Sequence, residues 1–154
     1  MAELSIRSAR REDVPAIVAL LADDALGATR EVVADPLPDS YTRAWEAIER
    51  SPGTRVVVVE DGDGAIVATM QLDLIPSLSR GGTLRAQIDA VRVASGRRGG
   101  GIGRRLLEWA IAEARREGCG LVQLTTDRRR PDALRFYAAL GFVDSHHGLK
   151  LALD

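Results

Sequence analysis

The sequence predicts an α/β fold of the α+β kind: a mixed, mostly antiparallel central sheet flanked by helices. Three observations carry this. Short alternating or apolar runs alternate with segments of helical spacing, in the order βααβββαβαβ. Two of those runs flank "GDG" (62–64), a hairpin signal and so an antiparallel pair. A third run passes through a glycine-rich turn directly into a long amphipathic segment.

The elements follow in order. "LSIRSAR" (4–10) alternates like a first strand. In "REDVPAIVALLADD", Asp13 fits an N-cap, Pro15 a first turn, and Ile17, Leu20 and Leu21 share one helical face. Residues 25–39, with two prolines, read as loop, and "SYTRAWEAIERS" (40–51) as a second helix closed by Pro52-Gly53. "TRVVVVED" (54–61) and "AIVATMQLDLI" (65–75) form the hairpin strands, 77–82 a loop, and "TLRAQIDAVRV" (83–93) the next strand. From Ile102, apolar residues recur at Leu106, Leu107, Ala110, Ile111 and Ala114, a helix that "EGCG" ends. "LVQLTT" (121–126) is a strand, "PDALRFYAALGF" (131–142) a short helix with Asp132 as its cap, and "GLKLAL" (148–153) a last strand.

The 154 residues suit one domain, 1–154, with a sizeable core. Composition is that of a globular chain, 45% hydrophobic and 28% charged, with no run long enough to span a membrane. "MAELSIRSARRED" lacks the apolar stretch of a secretory leader, and the single Cys119 suits a reducing cytoplasm. Two histidines and one cysteine make a metal site unexpected. Charge is unevenly placed. Residues 90–107 hold five arginines and no acid, whereas 23–46 hold six acids and two arginines. That asymmetry suits an anionic ligand and a cationic second one; a solvated, charge-rich helix face explains the acids equally.

Residues 95–110, "SGRRGGGIGRRLLEWA", contain Gly99, Gly100, Gly101 and Gly103. Glycine loses the most backbone freedom on ordering, so this density needs a cause. A helix N-terminus has unpartnered N–H groups and a positive dipole end, and glycines let phosphate oxygens approach the main chain. Arg98 and Arg104 add charged donors. The loop is shaped for a pyrophosphate; a tight turn without ligand is the alternative. Two other phosphate motifs fail. Ile102 stands where a P-loop needs lysine, and Arg104 where the dinucleotide fingerprint needs glycine.

Arg98-Gly99-Gly100-Gly101-Ile102-Gly103 resembles R/Q-x-x-G-x-G/A, the acyl-CoA loop of the GNAT superfamily of acetyltransferases. "DALRFYAALGF" (132–142) is similar to that family's second signature, a tyrosine-bearing helix before "LGF". The resemblance covers most of the chain and is weakest over 22–50. It implies a GNAT-like acyl-CoA fold and acetyl-CoA as co-substrate. It implies a splayed central strand whose Val91, Arg92 and Val93 meet the pantetheine arm. The amides from Gly99 to Arg104 would take the pyrophosphate, with Arg98 beside them. Tyr137 resembles the family's general acid; packing against the sheet is its other reading. Phe136 resembles a wall of the cofactor site or a core residue.

Asp89 stands where similar acetyltransferases often carry a glutamate base. Being one methylene shorter, it favours a water relay; a solvated carboxylate or a partner for Arg85 is the alternative. Arg130 departs from the asparagine many members carry seven residues before the tyrosine, and Asp127 matches a subgroup with Asn or Asp at its place. His146 and His147 suit a surface turn, with a base or a substrate contact as the alternatives. Tyr41 and Trp45 fall where the family builds its acceptor lid.

The resemblance implies an N-acetyltransferase acting on a primary amine, a small molecule first. "SHHGLKLAL" is similar to the end of aminoalkylphosphonate acetyltransferases. Protein N-terminal or lysine acetylation, and a non-catalytic acyl-CoA-binding regulatory domain, are the alternatives. Net charge of -1 and 4% aromatic content disfavour nucleic acid. No membrane partner is expected, and the resemblance implies a homodimer.

Overall fold

The computed structural model describes residues 3–130 and 132–154. The chain divides into two compact units, Met1–Gln123 and Leu124–Asp154. The first holds strands β1 (Leu4–Ser8), β2 (Thr54–Asp61), β3 (Ile66–Pro76) and β4 (Leu84–Val93) and helices α1 (Val14–Leu21), α2 (Asp39–Glu49) and α4 (Ile102–Arg116). A single turn, α3 (Ser79–Gly82), interrupts the loop after β3. Strand β5 (Leu121–Leu124) ends this unit, and α5 (Ala133–Ala139) lies in the second.

The strands form one sheet in sequence order, β1-β2-β3-β4-β5. The first three pairings are antiparallel. β5 follows β4 through a helical crossover, the connection that parallel neighbours need, and the sheet is mixed as the sequence predicts. Val67, Ala68, Thr69 and Met70 are consecutive and all buried, because β3 is covered on both faces. Arg55 on β2 reaches Glu113 of α4 (2.6 Å) and Glu117 at its C-cap (2.7 Å), placing α4 over one face. Val56, one residue on, turns the other way and meets α1 and α2.

One expected strand is absent, and two expected N-caps stand in place without a side-chain cap bond. Residues 148–153 form no strand; Leu149, Leu151 and Leu153 are 92%, 86% and 88% exposed. Their alternation is genuine, but a strand needs a neighbour for its backbone groups, and this segment has none among the described residues. Asp13 occupies the N-cap of α1 without a side-chain cap bond. Its carboxylate instead accepts from the Arg7 guanidinium (2.7 and 3.1 Å) and the Arg10 amide (2.8 Å), starting a 3-10 turn over Arg11–Asp13. Arg7 holds the Asp13 carboxyl below its ordinary range. Asp132 sits at the N-cap of α5 in a left-handed conformation (φ 66°), also without a cap bond. The expected start of that helix at Pro131 lies outside the described residues.

Candidate functional site

The site is built outward from β4. Asp89 pairs with Gln71 of β3 and Arg92 with Thr69, so Ala90 and Val91 together oppose Met70. One extra residue on one strand is a β-bulge, which bends the strand and frees main-chain groups from the ladder. Ala90 takes φ 54°, left-handed backbone that a non-glycine residue rarely adopts. Such strain persists where the surroundings fix it, commonly at sites. No feature of "QIDAVRV" in the sequence marks this bulge.

Past Val93 the chain makes a 3-10 turn over Ser95–Arg97 and enters the glycine loop. Gly99 and Gly101 both have φ 83°, and a Cβ on either would meet no atom within 4 Å. These glycines are therefore needed for backbone conformation, and the space beside them is open. Gly101 is the N-cap of α4. The amides of Ile102, Gly103 and Arg104 fall in the first turn, where no internal acceptor exists. An open concave loop with free amides and a positive helix end fits a diphosphate.

The flanking arginines are differently employed. Arg98 donates to the Val93 carbonyl (3.0 Å) and the Asp23 carbonyl (2.6 Å). The Ser95 amide donates to the Asp23 carboxylate (2.7 Å), which holds that carboxyl below its ordinary range. Arg92 donates to the Val91 carbonyl (2.8 Å) and lies 3.4 Å from Asp24. Arg97 pairs with Asp61 at 2.9 Å. Arg104 pairs with Glu108 one turn along α4. The acids after α1 thus hold the loop in place.

A cavity of about 150 Å³ lies on the sheet face under α1 and α2, bounded at one end by Ala90. Ile17, Val18, Trp45, Ile48 and Met70 are among its walls, with Tyr41 and Gln71 at polar positions. Trp45 is buried. The Tyr41 hydroxyl accepts from the Val32 amide (3.0 Å) and donates to Glu31 (2.9 Å).

Sequence reasoning missed the polar continuation of this face. Gln71 and Asp73 on β3, Arg85, Gln87 and Asp89 on β4, and Gln123 on β5 form a ladder. Gln123 donates to Gln87 (2.6 Å), Gln87 to Asp89 (3.4 Å), and Gln71 to Asp73 (3.2 Å). Arg85 reaches Gln123 (3.5 Å), not Asp89. The i, i+2 spacing of these polar residues was the available signal.

In the second unit, Tyr137 on α5 packs edge-on between Phe136 (5.1 Å) and Phe142 (5.8 Å). Asp127 accepts from the Arg129 amide (2.9 Å) and guanidinium (2.8 Å), and the Arg130 amide donates to the Asp127 carbonyl (3.0 Å). His146 and His147 are exposed, with Nδ1 of His146 2.6 Å from the Ser145 hydroxyl. Among the described residues no cluster of His, Cys, Asp or Glu could hold a metal, and no helix is long and apolar enough to cross a membrane.

The chain is similar over 98% of its length, at 46% identity and a TM-score of 0.95, to all of a Bacillus halodurans C-125 protein described as a transcriptional regulator. It resembles a Trypanosoma brucei acetyltransferase at 27% identity and a TM-score of 0.79, covering 98% of this chain and 100% of that one. A 56-residue segment is 46% identical to an aminoalkylphosphonate N-acetyltransferase of Salmonella typhimurium, 36% of each chain. The match therefore spans about a third of that curated relative. Residues 16–142 match the Acetyltransferase (GNAT) family. A bulged strand feeding an open glycine loop at a helix N-terminus, within a sequence that matches over most of its length, makes this chain a member of the Acetyltransferase (GNAT) family.

Proposed function

We propose that residues 1–154 act as one acetyl-CoA-dependent N-acetyltransferase domain whose acceptor is a small primary amine. The observation that carries this reading is the bulge at Ala90 and Val91 leading into the open loop of Gly99 to Gly103. Acetyl-CoA supplies the thioester. The amides from Gly99 to Arg104 bind its diphosphate, and Arg98 keeps the loop in shape through the Val93 and Asp23 carbonyls. Main-chain groups of Val91, Arg92 and Val93 orient the pantetheine arm. The amide near Val93 stabilises the developing oxyanion.

Asp89, through one water, takes the proton of the ammonium so that the nitrogen lone pair is free. A C–N bond forms as the C–S bond breaks. Tyr137 gives its hydroxyl proton to the departing thiolate and is reprotonated through solvent by the proton the new amide sheds. Phe136, Asp127 and Arg130 complete the cofactor side. The likeness to a transcriptional regulator supports a second reading, a regulatory domain that binds acyl-CoA without turnover. Cytoplasmic residence and a homodimer belong to the same proposal.

Calorimetry with acetyl-CoA, followed by turnover with an amine panel, tests both readings. The enzyme reading expects saturable binding, and in Tyr137→Phe a turnover at least about tenfold lower with acetyl-CoA affinity unchanged. Binding without turnover of any amine favours the regulatory reading. No binding withdraws both.

A further inference from the structure

The acidic segment 23–46 is not where a cationic acceptor would be recognised. Asp23 and Asp24 hold the glycine loop and Arg92, Glu31 accepts from Tyr41, and Glu46 lies 3.7 Å from Arg11. None of the six acids lines the cavity. Two other carboxylates lie on the sheet face beside the cavity. Asp73 and Asp89 share a sheet face with the cavity wall residue Gln71. Gln71 stands directly opposite Asp89, and Asp73 is the diagonal neighbour of Asp89, opposite Gln87. Both carboxylates are half-buried, each is met by a glutamine amide, and neither has an ion-pair partner among the described residues. Two nearby half-buried carboxylates repel each other and attract a cation, and Arg85, the other diagonal neighbour of Asp73 on this face, reaches Gln123 instead.

The geometry points to an acceptor with two parts. We infer that this protein takes a primary amine whose ammonium lies on Asp73 and reaches Asp89 through one water, and whose body is a single compact apolar group filling the cavity under α1 and α2. The size follows from the volume: an apolar cavity of roughly 150 Å³ holds one benzene-sized group. The chemistry follows from the walls. Val14, Ile17, Val18, Leu21, Ile48 and Met70 offer no partner to hydroxyls or further ammonium groups. Only Tyr41, Trp45, Thr69 and Gln71 bring polar side-chain atoms to the walls, so a polyamine or an amino sugar would leave most of its polar groups unpaired there, which costs more than a missing contact. Gln71 marks the junction between the two parts. The inference rests on the acetyltransferase reading only for calling the amine an acceptor.

The test is calorimetric titration of the protein with 3-methylbutylamine, spermidine and glucosamine, without acetyl-CoA, beside a separate acetyl-CoA titration. The expected order has 3-methylbutylamine tightest by at least about tenfold. Ala44→Phe, at an exposed position of α2 that borders the cavity, should weaken 3-methylbutylamine about tenfold and leave acetyl-CoA unchanged. Asp73→Asn should weaken all three amines severalfold and spare acetyl-CoA. Spermidine or glucosamine binding as tightly as 3-methylbutylamine, or no response to Ala44→Phe, overturns the inference. Loss of acetyl-CoA binding in the wild type with amine selectivity intact would instead remove the enzyme reading alone.

Discussion

Gly27 and Gly101 show two different demands on glycine. A Cβ on Gly27 would collide with the Leu21 carbonyl, backbone that cannot move aside. Gly101 has open space but needs φ 83°. Gly101→Ala is therefore expected to cost about 1–2 kcal/mol of stability through left-handed strain, and to weaken acetyl-CoA as the loop relaxes. Thermal unfolding and calorimetry on one variant check both halves; an unchanged melting temperature would refute the strain argument. The need for glycine in the loop was legible in the sequence. The packing demand at Gly27 was not, since no local pattern shows that the chain after α1 folds back on its last carbonyls. Cys119 is buried enough that desolvation raises its thiol above the ordinary range, which fits a packing role.

At the scale of elements, the connection from α1 to the glycine loop carries a further expectation. Asp23 follows α1 in sequence and accepts the Ser95 amide ahead of the loop. Asp23→Ala should loosen the loop and weaken acetyl-CoA about fivefold, the effect of losing one charge-assisted bond. Turnover at saturation should stay near wild type, a KM effect without a kcat effect. An equal fall in kcat would mean that Asp23 acts on the chemistry instead. The helices α1, α2, α4 and α5 and strands β1 to β5 were readable because each repeats its period over several residues. The tail 148–153 has the same alternation, yet forms no strand. Alternation reports which side chains share a face and says nothing of whether a partner strand is available.

For the molecule as a whole, the carboxylates that fasten its parts set the acid limit of stability. Asp13 is held low by Arg7, Asp23 by the Ser95 amide, and Asp61 by the Ala65 amide and Arg97. A carboxyl whose folded pKa lies below its unfolded value stabilises above the unfolded value. That contribution fades as pH falls through the folded one. Stability should thus be flat from about pH 5 upward and fall steeply below about pH 4. Asp13→Asn should lower stability at pH 7 by about 2 kcal/mol and flatten the acid slope. Denaturant titrations at several pH values check this, and a slope identical to wild type would refute it. The sequence by itself determined the order of elements as far as α5, the mixed sheet, the glycine loop at a helix N-terminus and the family resemblance. Those properties are local: they depend on period, on backbone freedom and on neighbours within a few residues. Tertiary structure alone decided the bulge at Ala90, the partners that occupy Asp23 and Asp24, and the sheet face that joins Asp73, Gln71 and Asp89 to the cavity. Each of these depends on residues tens of positions apart meeting in one register, and no single-sequence pattern encodes register between strands.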